Sequence, residues 1–426
     1  MFMHKKIIIT LTLAFLLISG CSQQQIIATN KSYFSANNPS IWKVSTRNLW
    51  YRLKIGQELN EHYDHEELDN KKHWDQDHQK YINKITENSR PYIYHIINKL
   101  EANGLPSELA LLPAIESSYK PFSYSSQGAS GLWQFMPSTA SSLNLKQDIW
   151  YDGRLDIVQS TDAAITYISY LYKRFDKNWL HALAAYNCGE GTVRRAIKRN
   201  KKMNRPIDFW SLDLPKETKS YVPRLLILSR IIANPKKYDV KLPILLNEPY
   251  FETVDLKSQI NINRAAKIAK ISSYELKILN PGYKLGVTHP ESPRNILLPI
   301  GEKNNFLISL DKTPKEEWSP IKRYKVKQGD TLSEIANVHK IPLKSLMSLN
   351  NITGHIIQVN QEIKIPGTGI DESYFKEKDT YTVVAGDTLW RISRNYKIPV
   401  KKISQWNNLN IDLPLKIGIK LKLKND

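Results

Sequence analysis

Apolar and polar positions divide this chain into stretches of different period. Residues 7–18 form an apolar run behind His4, Lys5 and Lys6. The run is too short to cross a bilayer and, with its positive flank, has the form of a signal-peptide core. A polar stretch to about residue 40 reads as a tether. From Arg47 to about Asn98 the spacing is helical and rich in aromatics (Trp50, Tyr51, Tyr63, Trp74, Tyr81). From Gly104 to about Asp239 it stays mostly helical, broken by loops bearing Gly and Pro. Strands do not alternate with helices there, so no doubly wound sheet is expected.

After Pro243 the pattern shortens to β-like runs among lysines, and the tail repeats itself. Tyr324-Lys-Val-Lys-Gln-Gly-Asp-Thr-Leu332 returns as Tyr381-Thr-Val-Val-Ala-Gly-Asp-Thr-Leu389. The match runs on through Ile335/Ile392, Ile341-Pro342/Ile398-Pro399 and Asn350-Asn351/Asn407-Asn408. It closes on Ile363-Lys-Ile365 against Leu421-Lys-Leu423. Each copy reads as strand, helix, helix, strand, a small module in tandem. Asp330 and Asp387 are placed to cap the first helix of each copy, and Thr331 with Glu334 fits a capping box. Residues 262–300 have the look of a third, degenerate copy.

Composition narrows the class. At 426 residues, 41% hydrophobic and 24% charged, the chain is ordinary globular material with room for several cores. Its 61 Lys+Arg against 41 Asp+Glu favour polyanionic partners. Export makes nucleic acid the least suited of these and leaves acidic wall polymers and lipid headgroups. The 2 cysteines are Cys21 and Cys188. Ile18-Ser19-Gly20-Cys21 resembles a bacterial lipobox, which implies cleavage before Cys21, lipidation of its thiol and acylation of the new amino group. Ser22 resembles the outer-membrane sorting pattern, which implies a periplasm-facing lipoprotein. With Cys21 lipidated, no intramolecular disulfide is available, and stability must come from packed cores. His62, His65, His73 and His78 stand among many acids and read as a solvated helix face rather than a metal site.

The chemistry centres on Gly104-Leu-Pro-Ser-Glu-Leu-Ala-Leu-Leu-Pro-Ala-Ile-Glu116-Ser-Ser-Tyr119. Leu105, Leu109, Leu112 and Glu116 recur at helical spacing, with Pro106 suited to the first turn and Pro113 expected to kink the helix. A carboxyl against apolar neighbours is costly to ionise, the state a general acid needs near neutral pH. Periodicity alone equally fits a core glutamate satisfied by a buried partner. Three further segments change the picture. Gly128-Ala-Ser-Gly-Leu-Trp-Gln-Phe-Met-Pro137 is a Gly-bounded loop. Ala184-Ala-Tyr-Asn-Cys-Gly-Glu-Gly191 turns at a helix end, and Glu217-Thr-Lys-Ser-Tyr-Val-Pro-Arg224 precedes an apolar helix. Gln134, Met136, Tyr186, Asn187 and Tyr221 are suited to line a sugar-binding cleft, whereas Trp133 reads as core.

These four segments resemble the goose-lysozyme-like lytic transglycosylases, especially the membrane-bound type D enzymes that carry LysM modules. Glu116-Ser117 matches the family's catalytic Glu-Ser. Gly131-Leu-Trp-Gln-Phe-Met136, Ala185-Tyr-Asn187 with Gly189, and Tyr221 match its other motifs. Cys188 stands where the family usually has a small residue. The repeats resemble LysM modules, which bind N-acetylglucosamine-containing glycans. The resemblance implies a mainly α, lysozyme-like catalytic domain followed by small α+β (βααβ) modules. It divides the chain into a signal peptide (1–20), an anchored tether and helical region (21–90), a catalytic domain (91–240), a connecting region (241–320) and LysM modules (321–367 and 380–424).

The implied activity is cleavage of the β-1,4 bond after N-acetylmuramic acid in peptidoglycan. Glu116 would serve as acid and then base, with Ser117 orienting it. Neither metal nor coenzyme is called for. A hydrolase of lysozyme type would need a second carboxylate, for which Asp148, Asp152 and Asp156 are the nearby choices. A wall-binding scaffold with an inert enzyme domain is the remaining alternative.

Overall fold

The computed structural model describes residues 47–59, 63, 65–69 and 77–318, and, with short gaps, 321–366 and 380–423. Cys21, the apolar run, His62, His73 and Asp387 lie outside the described residues. The first helices are α1 (Leu49–Ile55), α2 (His78–Ser89) and α3 (Ile93–Ala102). Side chains of Asn48 and Asp77 cap the first two by accepting from Trp50 N and Lys80 N. A 3₁₀ turn at Ser107–Leu111 leads into the short α4 (Leu112–Ser117).

This division corrects the kinked helix expected from Pro113. Proline lacks an N–H and crowds the carbonyl four residues back, so the chain restarts its helix with Pro113 in the first turn, where no such bond is needed. Then follow α5 (Pro137–Ser142), α6 (Ile157–Arg174), α7 (Trp179–Cys188), α8 (Glu190–Lys202) and α9 (Lys216–Ala233). Helix α7 is buried along Trp179, Leu180, His181, Ala182, Leu183, Ala184 and Ala185. A helix apolar on most sides belongs at a centre, and α7 packs on α6, α8 and α9.

Three βααβ units follow. The first is β1 (Phe251–Val254), α10 (Ile262–Ile268), α11 (Ser273–Leu279) and β2 (Ile296–Pro299), with a trailing α12 (Lys303–Asp311). The second is β3 (Ile321–Lys325), α13 (Leu332–Val338), α14 (Leu343–Leu349) and β4 (Glu362–Pro366). The third is β5 (Thr380–Thr382), α15 (Leu389–Tyr396), α16 (Val400–Trp406) and β6 (Lys420–Lys422). In each unit the two strands pair antiparallel, in registers that include Phe251↔Pro299, Tyr324↔Ile363 and Tyr381↔Leu421. The degenerate copy thus begins at Phe251, ahead of the 262 expected from the sequence. Its first strand carries none of the Gly-Asp-Thr-Leu marks that reveal the others.

One asparagine does the same work three times. The Asn350 side chain donates to Lys364 O (2.9 Å) and accepts from Lys364 N (2.6 Å). Asn407 does so with Lys422 (2.8 and 2.6 Å), and Asn280 with Leu297 (2.8 Å each). An amide side chain thereby supplies the last strand with the pairing a neighbouring strand would give. The residue after it takes a left-handed conformation at Asn351 (φ 54°) and Asn408 (φ 51°), which explains the Asn-Asn doublet. In the second unit Thr331 and Glu334 form the expected capping box. Asp330, expected to cap, instead accepts from Lys327 N and Tyr324 Oη, both at 2.7 Å, and so closes the turn before the helix.

Candidate functional site

Glu116 is the penultimate residue of α4, which stops at once because Ser118 (φ 51°) and Tyr119 (φ 56°) are left-handed. Tyr119 is buried and its hydroxyl donates to Ala110 O, which fixes this unusual turn. The carboxyl therefore projects from a helix end rather than along a face. Tyr221 Oη, from α9, donates to Glu116 Oε1 at 2.6 Å. Burial pushes the Glu116 carboxyl up to about 7, the Tyr221 bond pulling against it and the nearby Glu217 charge adding to it. Burial, with the Glu116 charge adding to it, also raises both Tyr221 and Tyr186 well above the usual tyrosine range, so each stays a hydroxyl donor.

The loop before α5 wraps the same site. Gly131 (φ +83°) has the Arg154 carbonyl so close that a Cβ would stand 2.1 Å from its oxygen. Only glycine fits there. Trp133 is buried, as expected, and its Nε1 donates to Thr161 Oγ1 of α6 at 3.1 Å. Gln134 is left-handed (φ 50°), and its amide donates to Gly131 O (2.7 Å) and Ser123 O (3.3 Å), which pins its side chain to the loop. Met136, at 39% exposure, offers an apolar face at the loop's end. Ser117 Oγ lies 3.0 Å from Leu132 O and 3.1 Å from Pro113 O, so its hydroxyl ties the Glu116 helix to this loop.

Helix α7 contributes two more of the expected residues. Tyr186 Oη donates to Trp133 O at 2.8 Å. Asn187 Oδ1 accepts from Thr218 Oγ1 at 2.7 Å, and its amide nitrogen is 3.5 Å from Glu217 Oε1. Gly189 (φ +86°) then turns the chain into α8, whereas Gly191 lies within that helix. The segment at 217–224 opens α9 rather than preceding it, so Glu217 and Tyr221 are one turn apart on one face. The four segments thus converge on one carboxyl.

Sequence reading gave no role to Glu217 or Thr218. The signal was present: an acid four residues before Tyr221 shares its helix face, and Thr218 follows it. The Cys188 thiol is half-buried and held above its ordinary range by burial. The three aspartates weighed as second carboxylates are otherwise engaged. Asp148 accepts from Trp150 N and Tyr151 N and contacts His289. Asp152 pairs with Arg154 in the interior. Asp156 caps α6 through Gln159 N and accepts from Tyr151 Oη.

A glutamic acid that burial raises to about 7, at the meeting of helices α4, α7 and α9 and one Gly-bent loop, is the arrangement expected of a lysozyme-like glycan-cleaving site. The sequence matches known families in the same order. The Transglycosylase SLT domain matches residues 94–208, the LysM-like domain of lytic transglycosylase MltD matches 250–315, and the LysM domain matches 324–366 and 381–424. The membrane-bound lytic murein transglycosylase D of Escherichia coli strain K12 is 35% identical over 358 residues, covering 81% of this chain and 79% of that protein. The chain belongs to that transglycosylase family. Among solved structures, the 70 kDa soluble lytic transglycosylase of Escherichia coli is 24% identical over 34% of this chain and 24% of its own, with a TM-score of 0.27. The lytic transglycosylase Slt of Pseudomonas aeruginosa is 25% identical over the same shares, with the same TM-score.

Proposed function

We propose that this peptidoglycan lytic transglycosylase cleaves the β-1,4 bond after N-acetylmuramic acid with Glu116 as its single acid and base. The observation that carries the proposal is the Glu116–Tyr221 pair, a carboxyl that burial raises to about 7 and that has one oxygen already bonded. The other oxygen carries the proton. It passes to the glycosidic oxygen as the C1–O bond breaks and the muramic ring gains oxocarbenium character. The carboxylate left behind takes the proton of the muramic C6 hydroxyl, whose oxygen then bonds to C1. The products are a 1,6-anhydromuramic end and a free N-acetylglucosamine hydroxyl, and no water is consumed. Tyr221 stabilises the transient carboxylate. Gln134, Asn187 and Tyr186 offer polar contacts to sugar hydroxyls and acetamido groups, Met136 an apolar one, and Ser117 positions the Glu116 helix.

A hydrolytic route asks for a second carboxylate to hold water or bond to the sugar. Asp148, Asp152 and Asp156 are committed to turns, an ion pair and a helix cap. Glu217 sits on the exposed first turn of α9, where its charge adds to the burial that raises Glu116. The LysM units at 324–366 and 381–424 hold the enzyme on glycan strands, and lipidated Cys21 anchors it in the outer membrane, facing the periplasm. The basic balance suits the anionic surroundings of wall peptides and lipid headgroups.

Release of soluble fragments from dye-labelled sacculi tests the catalytic assignment. Glu116→Gln should lower the rate at least about a thousandfold, and a variant that keeps a tenth of the parent's rate would overturn it. Incorporation of labelled fatty acid, lost in Cys21→Ala, tests the anchor.

A further inference from the structure

The first βααβ unit is seated on the enzyme domain through the loop between α11 and β2. Gly282 O accepts from Asp152 N (2.9 Å), and Lys284 N donates to Trp150 O (3.0 Å), so this loop and the 150–152 segment pair as a short antiparallel bridge. Tyr283 packs on Tyr151 with ring centroids 5.3 Å apart. A Cβ on Gly282 would meet Tyr151 Cε2 at 2.8 Å, so the approach is as close as backbone allows. His289 closes the rim. Its Nδ1 accepts from Glu291 N and Ser292 N, and its Nε2 faces Asp148 Oδ2 at 3.0 Å. In the second unit the corresponding loop is open to solvent, with Ile356 at 89% and Val359 at 55% exposure. The first unit therefore spends on the enzyme domain a surface that its sister leaves free.

The residues it grips lead straight to the cleft. Asp152 holds Arg154 by two parallel bonds, to Nε (3.0 Å) and Nη2 (2.8 Å). Arg154 Nη1 then donates to Gly128 O (2.8 Å) and Phe135 O (3.3 Å), the two ends of the loop that presents Gln134 and Met136. That loop is bonded at Leu132 O to Ser117, the neighbour of Glu116. Both Asp152 and Arg154 are buried, so the fork has little freedom to relax.

We infer that the LysM-like unit of residues 250–315 is a brace for the catalytic loop rather than a glycan-holding module, and that Arg154 is the positioning residue through which it acts. The inference rests on the reading of Glu116 given above. The unit's docked loop fixes Asp152, Asp152 fixes the plane of Arg154, and Arg154 fixes the carbonyls at both ends of the cleft loop. A shift of about 1 Å in that loop is enough to lower turnover severely.

The test uses full-length protein with soluble glycan strands for kcat and KM and with purified sacculi for binding. Gly282→Ala, which wedges the seam apart, and Arg154→Lys, which keeps the charge but loses the fork, are each expected to lower kcat about tenfold, with sacculus binding unchanged. Because both act on one path, the double variant should lose about tenfold as well, not about a hundredfold. Should Gly282→Ala fail to fold, His289→Ala opens the same seam at its rim and takes its place in the cycle. Folded variants with parental kcat, or losses that multiply in the double variant, overturn the brace. A fall in sacculus binding with kcat intact would return the unit to glycan holding. A parent protein that makes no anhydro ends would overturn the Glu116 reading instead, which separates the two failures.

Discussion

Tyr221 Oη donates to Glu116 Oε1 at 2.6 Å, joining helices whose residues stand far apart in sequence. The bond favours the charged carboxylate, while burial and Glu217 favour the neutral acid. In the proposed mechanism the acid starts the reaction and the carboxylate finishes it, so the working pH is expected to lie near that balance at about 7.

Removing the hydroxyl should tip that balance upward. In Tyr221→Phe the limb at which kcat falls with rising pH moves to higher pH, because the lost bond was lowering Glu116. Turnover at the optimum drops about ten- to a hundredfold, as the carboxylate loses its donor. A kcat–pH profile measures both, and a limb that moves to lower pH would contradict the assignment.

Glu217→Gln should move the same limb the other way. Its charge raises Glu116, so its removal lets the acid ionise sooner and activity fall at lower pH. The two substitutions therefore displace one limb in opposite directions, a pattern that general damage to the cleft does not produce.

Stability carries the same signature. The Glu116 carboxyl binds its proton more tightly folded, at about 7, than in a free chain, near 4.5. Its contribution is therefore fully present below about pH 4.5 and is lost as pH rises through about 7. Glu116→Gln should be more stable than the parent at pH 8 by on the order of 1–3 kcal/mol, and so melt higher, with little difference at pH 4. Thermal melts at both values check it. Equal melting at both would mean that the carboxyl pays no penalty for its charge.

Gly131→Ala tests the loop. The added methyl has no room before the Arg154 carbonyl, and the backbone is left-handed there. Stability should fall by about 2 kcal/mol or more, with activity lost beyond what melting explains. Urea unfolding and sacculus digestion, read together, measure the two effects.

The tandem repeats, the helical character before Pro243 and the convergence on Glu116 were legible because each leaves a local mark: a period, a doublet, a proline, a glycine-bounded loop. Other features were not. Nothing in residues 104–119 says that Pro113 restarts the helix instead of bending it, since both outcomes remove the same clash. The strand at Phe251–Val254 lacks the motif that betrays its sisters, and its partner Ile296–Pro299 is far along the chain. The work of Arg154 on the loop was invisible because the two groups its Nη1 holds there are backbone carbonyls, which no side-chain pattern encodes. Asp330 was misread as a cap because an aspartate before a helix suits a cap and a turn equally well.

Mass spectrometry of the fragments released from purified sacculi, by the parent and by Glu116→Gln, tests the central claim most directly. Anhydromuramic ends from the parent and none from the variant are the predicted result. Reducible muramic ends from the parent, or anhydro ends undiminished in the variant, would contradict a mechanism in which Glu116 is both acid and base.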